Sequence, residues 1–205
     1  MKKYLVLVAL LFVTPGFAAD LYGRRPPNYA PPGVAEPLFN WTGFYLGAHG
    51  GYGWGDALGI NPRGYVVGGQ AGYNYQLASG LVFGIEGDIS VTGIDRTAGG
   101  VNFGMDYIGT IRPRIGFGVD RVLLYGTGGA AFGRGDLTIG GLSNKQVQWG
   151  WTLGGGLEAM IAPNLSARFE YLYVDLGNET YASIVGPVNV GFTSNILRAG
   201  VNYKF

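Results

Sequence analysis

The feature that most constrains the fold is an alternation of side-chain character with period two, which runs from Trp41 to the C-terminus. It is clearest in the last segment, where one face carries Leu197, Ala199, Val201, Tyr203 and Phe205. Side chains share a face at every second residue in a β-strand and at every 3.6 residues in a helix. Eight such segments can be read along the chain, each of about ten residues, which is enough to cross a bilayer at a tilt near 45°. We therefore predict an all-β domain over residues 40–205.

The two faces of this alternation differ in chemistry. One is aromatic and aliphatic, and the other carries the charged side chains Glu86, Asp88, Arg112, Arg114, Glu158, Arg168, Glu170, Arg198 and Lys204. An eight-stranded barrel has an interior only wide enough for side chains to fill, and 14 Tyr and 4 Trp would not fit there with the aliphatic residues. The apolar face must then point outward, which only lipid tolerates. We predict an eight-stranded antiparallel transmembrane up-and-down β-barrel with a charged lumen.

The five cations and four anions of the lumen are nearly balanced. Buried charges must be paired or solvated, because an unpaired charge in a low dielectric costs several kcal/mol. The pattern indicates a mutually neutralising network. It leaves two interpretations open, a structural plug and a selectivity filter or gate.

The connections between the predicted strands alternate in length. Short turns fall near residues 77–80, 118–121 and 162–164, and long loops fall near residues 55–64, 91–104, 134–146 and 176–190. This is typical of outer-membrane barrels with short periplasmic turns and longer outer loops. We expect two interfacial girdles formed by Trp41, Tyr52, Trp54, Tyr65, Tyr75, Trp149, Tyr173, Tyr203 and Phe205. The facing of the fifth strand, residues 122–133, is left open because that segment is rich in Gly and Ala.

The first residues predict export. Lys2 and Lys3 precede an apolar run over residues 4–13, and small residues follow up to Ala18. This pattern indicates a signal peptide over residues 1–18, since ten apolar residues are too few to span a bilayer as a helix. Residues 19–39 hold five of the ten prolines and are predicted to be a Pro-rich periplasmic tail. We expect the remaining domain to lie in the bacterial outer membrane.

The sequence offers little for catalysis. His49 is the single histidine and cysteine is absent, so a Cys–His pair or a His-rich metal cluster cannot form. By the alternation, His49 faces inward and away from lipid, which argues against a lipid A-modifying enzyme. We predict no enzyme activity and no catalytic, cofactor or metal site. A net charge of +1 gives no support for nucleic-acid binding.

Four segments in chain order resemble a known family. They are FNWTGFYLG at residues 39–47, GGQAGYNYQ at 68–76, LLYGTGG at 123–129 and LRAGVNYKF at 197–205. The chain resembles the opacity and OmpA-like "porin family" group of small alphaproteobacterial outer-membrane proteins, over its whole length after the Pro-rich tail. The resemblance implies an eight-stranded barrel with a role in the Gram-negative cell envelope, and it carries over no catalytic residue. It also implies that Val201, Tyr203 and Phe205 form a signal read by the outer-membrane assembly machinery.

The function that these features favour is a structural or surface-interaction barrel with a charge-plugged lumen. It would support envelope integrity and could contact host or other surface ligands through its four long loops. The alternative is a narrow porin that passes ions or small solutes past the luminal arginines, and a lipid A-modifying enzyme is a third hypothesis. The expected partners are outer-membrane lipid and lipopolysaccharide, the assembly machinery and surface ligands.

Overall fold

The computed structural model describes residues 40–57, 59, 61–98, 101–139, 142–183 and 186–205. The predicted signal peptide (residues 1–18) and Pro-rich tail (residues 19–39) lie outside the described residues. Within the described ranges, no helix has the length and apolar character needed to cross a membrane.

The described residues form a closed antiparallel barrel. Its strands are β1 Gly43–Ala57, β2 Arg63–Gln76, β3 Leu81–Ala98, β4 Val101–Val119, β5 Val122–Ile139, β6 Leu142–Ala162, β7 Leu165–Ser183 and β8 Gly186–Lys204. Each strand pairs with its neighbours in chain order, and β8 pairs with β1 to close the sheet. The predicted all-β, eight-stranded up-and-down topology is confirmed.

The apolar residues of the alternation point outward. Phe44, Leu46, Ile85, Ile111 and Trp149 are among the exposed large or aliphatic side chains. The fifth strand, whose facing the sequence left open, alternates regularly as well, but two of its apolar residues face inward. Leu123, Tyr125 and Thr127 are buried inside the barrel, whereas Leu124 and Gly126 are exposed.

The strands are longer than predicted, at 14 to 21 residues, and three of the four long loops are consequently wrong. Only residues 99–100, 140–141 and 184–185 separate the strand pairs that form those hairpins. Pairing continues into the predicted loops, as between Asp136 and Lys145. Lys145 Nζ also lies 3.2 Å from Asp106 Oδ2 of β4, and this hydrogen bond raises the pKa of Lys145. Bilayer thickness sets the length of strand inside the membrane but puts no limit on pairing beyond it.

We call the end of the barrel with these long hairpins the hairpin end, and the opposite end, with residues 77–80, 120–121 and 163–164, the turn end. Near the hairpin end, a β-bulge on β4 changes which of its residues face inward, because Arg112 and Arg114 are buried at even-numbered positions but Phe103 and Met105 at odd-numbered ones. The pairing shifts between Val91 and Ile94 on β3 and between Met105 and Tyr107 on β4. Phe103 and Met105 thereby join apolar side chains that already lie at regular inward positions of the other strands, and together they fill the lumen there. This outer cluster comprises Ala57, Val66, Ile94, Phe103, Met105, Ile108, Ala131, Leu172, Val174, Leu176, Phe192 and Ile196.

A second apolar group lies in the lumen at the turn end and corrects one prediction. Trp41 was expected in an interfacial girdle, but only 2% of it is exposed. Its backbone N–H donates to Gln76 Oε1 at 2.8 Å. Its ring also occupies the space beside Gly118, where an added Cβ would lie 2.8 Å from Trp41 Cδ1. This inner cluster comprises Trp41, Val82, Leu123, Tyr125 and Met160.

The other predicted girdle rings face outward. Those that are exposed are Tyr52, Trp54, Tyr65, Tyr75, Trp149, Tyr203 and Phe205. Tyr173 is partly exposed and packs against the exposed Trp151 ring at a centroid distance of 5.4 Å. Trp41 differs from them because it precedes β1, so the strand alternation does not fix its direction.

Candidate functional site in the barrel lumen

Four arginines and four carboxylates meet in the lumen between the two apolar clusters. We call this set the charge network: Glu86, Asp88, Arg112, Arg114, Glu158, Arg168, Glu170 and Arg198. None of its members is more than 8% exposed. Each lies at an inward position of β3, β4, β6, β7 or β8. The pairing register places oppositely charged partners side by side, as for Glu86 and Arg112.

Glu86 is the centre of the charge network. Its Oε1 accepts a hydrogen bond from Arg112 Nη2 at 2.6 Å, and its Oε2 accepts one from Arg168 Nη1 at 2.5 Å. Arg114 Nη1 lies 3.6 Å from Oε2, and Arg198 Nη2 lies 3.8 Å from Oε1. One carboxylate therefore contacts all four arginines, which come from three different strands.

Two further carboxylates bind guanidinium groups that also contact Glu86. Glu170 Oε2 lies 2.6 Å from Arg198 Nη2 and 3.1 Å from Arg168 Nη2. Asp88 accepts from Arg112 at 2.9 Å and from Arg198 at 3.0 Å. The contacts extend across the barrel, so the charges neutralise one another as a group and not as separate pairs.

Glu158 joins the charge network to the turn end. Its Oε2 accepts from Arg114 Nη2 at 2.9 Å. Its Oε1 accepts from Ser166 Oγ at 2.5 Å and from Asn202 Nδ2 at 2.7 Å. Neutral donors on β7 and β8, Ser166 and Asn202, therefore also hold the carboxylate that pairs with Arg114. The sequence did not predict these two donors.

Two buried tyrosines complete the charge network and were missed from the sequence. The Tyr45 hydroxyl donates to Glu86 Oε2 at 2.7 Å and accepts from Arg114 Nη1 at 2.9 Å. The Tyr125 hydroxyl donates to Glu170 Oε1 at 2.9 Å, and the Arg114 guanidinium lies 3.9 Å from the centre of its ring. The sequence did carry a signal for Tyr45, because the alternation places this aromatic residue on the charged, inward face of β1.

His49 is buried in the lumen, on the face that the alternation predicts. Its Nδ1 lies 2.5 Å from Gln70 Oε1, and its Nε2 lies 2.8 Å from Ser90 Oγ and 3.2 Å from Arg198 Nη1. The Ser90–His49 contact resembles part of a nucleophile–base pair. Both side chains are buried, however, so this arrangement gives a lipid substrate no access.

Lys204, which the sequence placed with the luminal charges, lies apart from the charge network. It is partly exposed at the turn end, where its Nζ donates to the Asn40 carbonyl oxygen. The contacts of the charge network therefore join four cations to four anions, a closer balance than the predicted five against four.

The three predicted assembly residues lie on the outer surface of β8. Val201, Tyr203 and Phe205 are all exposed, and Phe205 is 72% exposed. The Phe205 ring packs edge-on against Tyr203 at a centroid distance of 5.1 Å. Its backbone N–H donates to the Phe44 carbonyl oxygen at 3.0 Å, so Phe205 contributes to the seam that closes β8 on β1.

Comparison with known structures agrees with this architecture. Neisserial surface protein A superposes with a TM-score of 0.57 at 20% identity, covering 80% of this chain and 98% of that one. The outer membrane protein OprG from Pseudomonas aeruginosa gives a TM-score of 0.51 at 12% identity, covering 83% and 99%. At these identities the likeness shows the fold alone.

Comparison of sequences identifies closer relatives. The 25 kDa outer-membrane immunogenic protein of Brucella abortus is 34% identical over 211 residues, covering 99% of this chain and 98% of that protein. The 22 kDa outer membrane protein of Rhizobium leguminosarum is 35% identical over 172 residues, covering 83% and 81%. The family model described as "Outer membrane protein beta-barrel domain" matches residues 35–205. The predicted outer-membrane location is thus confirmed, and the chain belongs to the outer membrane protein β-barrel family.

Proposed function

We propose that this outer-membrane barrel is a structural and surface-interaction protein with a closed lumen, and that it has no catalytic role. The observation that carries the proposal is the charge network, whose eight ionised groups are at most 8% exposed and contact one another across the barrel. Apolar side chains of the outer and inner clusters lie on either side of these groups. This is the arrangement of a packed core and differs from a hydrated channel.

An ion crossing this lumen would have to displace paired charges and then pass an apolar layer. Arg112, Arg168 and Glu170 are each in contact with at least two partners of opposite charge. Separating such groups leaves charges uncompensated in a low dielectric, which costs several kcal/mol. The arginines that a narrow porin would use for selectivity are therefore engaged in holding the barrel together.

Single-channel recording in planar bilayers tests the closed lumen. We expect the purified barrel to insert without producing a steady conductance, while a general porin recorded in the same bilayer produces one. A steady ohmic current would contradict the proposal. If its ion selectivity also changed in an Arg168→Gln variant, the narrow-porin alternative would be favoured.

The proposed surface role rests on the hairpin end. The curated relatives include proteins named outer-membrane immunogenic proteins, and a name of this kind suits a chain that presents residues outside the cell. In this barrel the paired hairpins extend past the exposed girdle residue Trp149 to side chains such as Lys145. We propose that the hairpin end is extracellular and the turn end periplasmic, as is usual for such barrels.

Cysteine labelling on intact cells tests this orientation, because the chain has no cysteine of its own. Asp95 is exposed near the hairpin end of β3, and Ser79 is exposed in a turn at the opposite end. We expect a membrane-impermeant maleimide to label an Asp95→Cys variant on intact cells and a Ser79→Cys variant only after lysis. Labelling of the Ser79→Cys variant on intact cells would reverse the proposed orientation.

A further inference from the structure

The outer surface of the barrel carries a groove that extends from β3 to β6. Its volume is about 460 Å³, and the side chains and glycines that shape it are Phe83, Pro113, Ile115, Gly126, Gly128 and Leu153. Gly126 and Gly128 lie at successive outward positions of β5 and form its floor because they carry no side chain. Phe83, Ile115 and Leu153 are exposed at its walls. The groove is therefore apolar and faces lipid.

The pairing between β4 and β5 is interrupted next to this groove. Pro113 lies inside β4, and proline has no backbone N–H with which to continue the ladder. The β4–β5 register contains pairs at Ile111 and at Arg114, but none at the two residues between them. The Thr127 hydroxyl donates to the Pro113 carbonyl oxygen at 2.9 Å, so a side chain of β5 holds the strands together there. Beside Pro113, the outward positions of β5 are Gly126 and Gly128, which carry no side chain.

A cation lies at the end of the same face. The turn between β4 and β5 consists of Asp120 and Arg121, and the other two turns, residues 77–80 and 163–164, contain no charged residue. The Arg121 side chain is exposed. Its backbone is held in place because its carbonyl oxygen accepts from Met160 N–H of β6 at 2.9 Å. A guanidinium group is thus presented at the turn end of the same strand that carries the floor of the groove.

The distance between the cation and the groove matches one lipid leaflet. A strand rises about 3.4 Å per residue, so Gly126 and Gly128 lie roughly 17 and 24 Å along β5 from Arg121. At a strand tilt of about 40° this corresponds to roughly 13 to 18 Å of depth. One leaflet, including its headgroup region, is about 20 Å thick. The same tilt displaces the groove sideways from Arg121, so a lipid whose phosphate lies beside Arg121 reaches the groove with an acyl chain that follows the direction of the strand.

We propose that this face binds one diacyl phospholipid, with its phosphodiester at Arg121 and one acyl chain in the groove over Gly126 and Gly128. Guanidinium groups suit phosphate because their planar donors can make two parallel hydrogen bonds to it. The binding site itself depends only on the outer-membrane location. Its assignment to the periplasmic leaflet rests on the orientation proposed above.

Two variants test the phosphate contact and the acyl-chain groove separately. Arg121→Gln removes the guanidinium group. Gly126→Leu places a side chain in the groove, and its Cβ has room because the nearest atom to an added Cβ is the Gly154 carbonyl oxygen at 4.0 Å. The matched control is Gly50→Leu, which adds the same side chain on the outer surface of β1, where no atom lies within 4 Å of an added Cβ. Gly50 lines a separate groove of about 400 Å³ with Ala48, Val67 and Ala199.

The experiment is native mass spectrometry of the full-length protein in detergent, titrated with phosphatidylethanolamine. We expect the wild type and the Gly50→Leu control to retain one lipid with equal affinity. Arg121→Gln should weaken retention by about tenfold or more through loss of a charge-assisted contact. Gly126→Leu should weaken it by a similar factor, because the leucine side chain occupies the space of the acyl chain. The shift between heated and unheated samples on a gel verifies that every variant is folded.

The remaining outcomes each overturn the proposal. Equal retention by all four proteins would mean that the lipid binds without using this face. Weakening by Arg121→Gln alone would indicate a headgroup contact without the groove, and weakening by Gly126→Leu alone would indicate an acyl contact without the phosphate. Binding is measured in detergent, so this test can fail independently of the conductance and labelling experiments.

Discussion

Replacing Glu86 with glutamine is expected to lower the free energy of unfolding by about 3–5 kcal/mol, the usual cost of breaking a buried ion pair. The substitution keeps the shape of the side chain and removes its charge. Arg112 and Arg168 would lose their hydrogen bonds to an ionised oxygen, at 2.6 and 2.5 Å. The charge network would then hold four cations against three anions, in a site that lipid and apolar clusters separate from solvent.

The measurement is urea unfolding of the barrel in lipid vesicles, followed by its shift on unheated gels. Asp95→Asn is the matched control, because it neutralises an exposed carboxylate on the same strand, and it should leave the midpoint unchanged. A Glu86→Gln, Arg168→Gln double variant restores the balance of charge, so it should be less destabilised than the sum of the single variants. A Glu86→Gln protein as stable as the wild type would show that the charge network is not a stabilising element.

Replacing Phe205 with alanine is expected to leave most of the exported protein unassembled in the periplasm. We propose that Val201, Tyr203 and Phe205 form the recognition signal for the assembly machinery, since all three present exposed side chains on one face of β8. The substitution removes the Phe205 ring, which is 72% exposed. It keeps the backbone N–H that bonds to Phe44, so the seam between β8 and β1 retains its last hydrogen bond.

The assembled fraction is measured from the heat-modifiable band in outer-membrane preparations. Phe117→Ala is the matched control, because Phe117 is also exposed on the outer face near the turn end, on β4. Both substitutions remove an outward phenylalanine ring, 52% exposed for Phe117 and 72% for Phe205, and a full side chain of this kind is worth about 1.5–3 kcal/mol. Failure of assembly in Phe205→Ala alone therefore indicates recognition and not a general loss of apolar contact. Equal assembly of the two variants would remove the proposed role of Phe205.

The sequence was sufficient to predict the strand count and the inward position of Glu86 and Arg112. Alternation with period two assigns a residue to a face without knowledge of its pairing partner, which is why these predictions needed no structure. The contact between Tyr45 and Glu86 could not be obtained in this way. It crosses from β1 to β3, and it depends on the register of β2, which lies between them.

Two other features, the reversed facing near the hairpin end and the position of Trp41, could not be predicted because they depend on local irregularities of the backbone. The shift of register between Met105 and Tyr107 reverses which residues of β4 face inward, and no residue type in the sequence marks a bulge of this kind unambiguously. Part of the outer cluster was nevertheless visible, because Val66, Leu172 and Ile196 already lay on the charged face by alternation. Trp41 could not be placed because it precedes β1, and its position depends on Gln76 and Gly118.

The two apolar clusters have a consequence for how this barrel is made. Eight ionised groups lie between layers such as the stacked Phe103 and Phe192 rings, whose centroids are 5.5 Å apart. Those groups begin hydrated, and they have no route by which to lose their water once both ends are packed. The guanidinium and carboxylate groups must therefore find one another while the seam between β1 and β8 is still open. Closing that seam therefore has to expel the water that hydrates these groups.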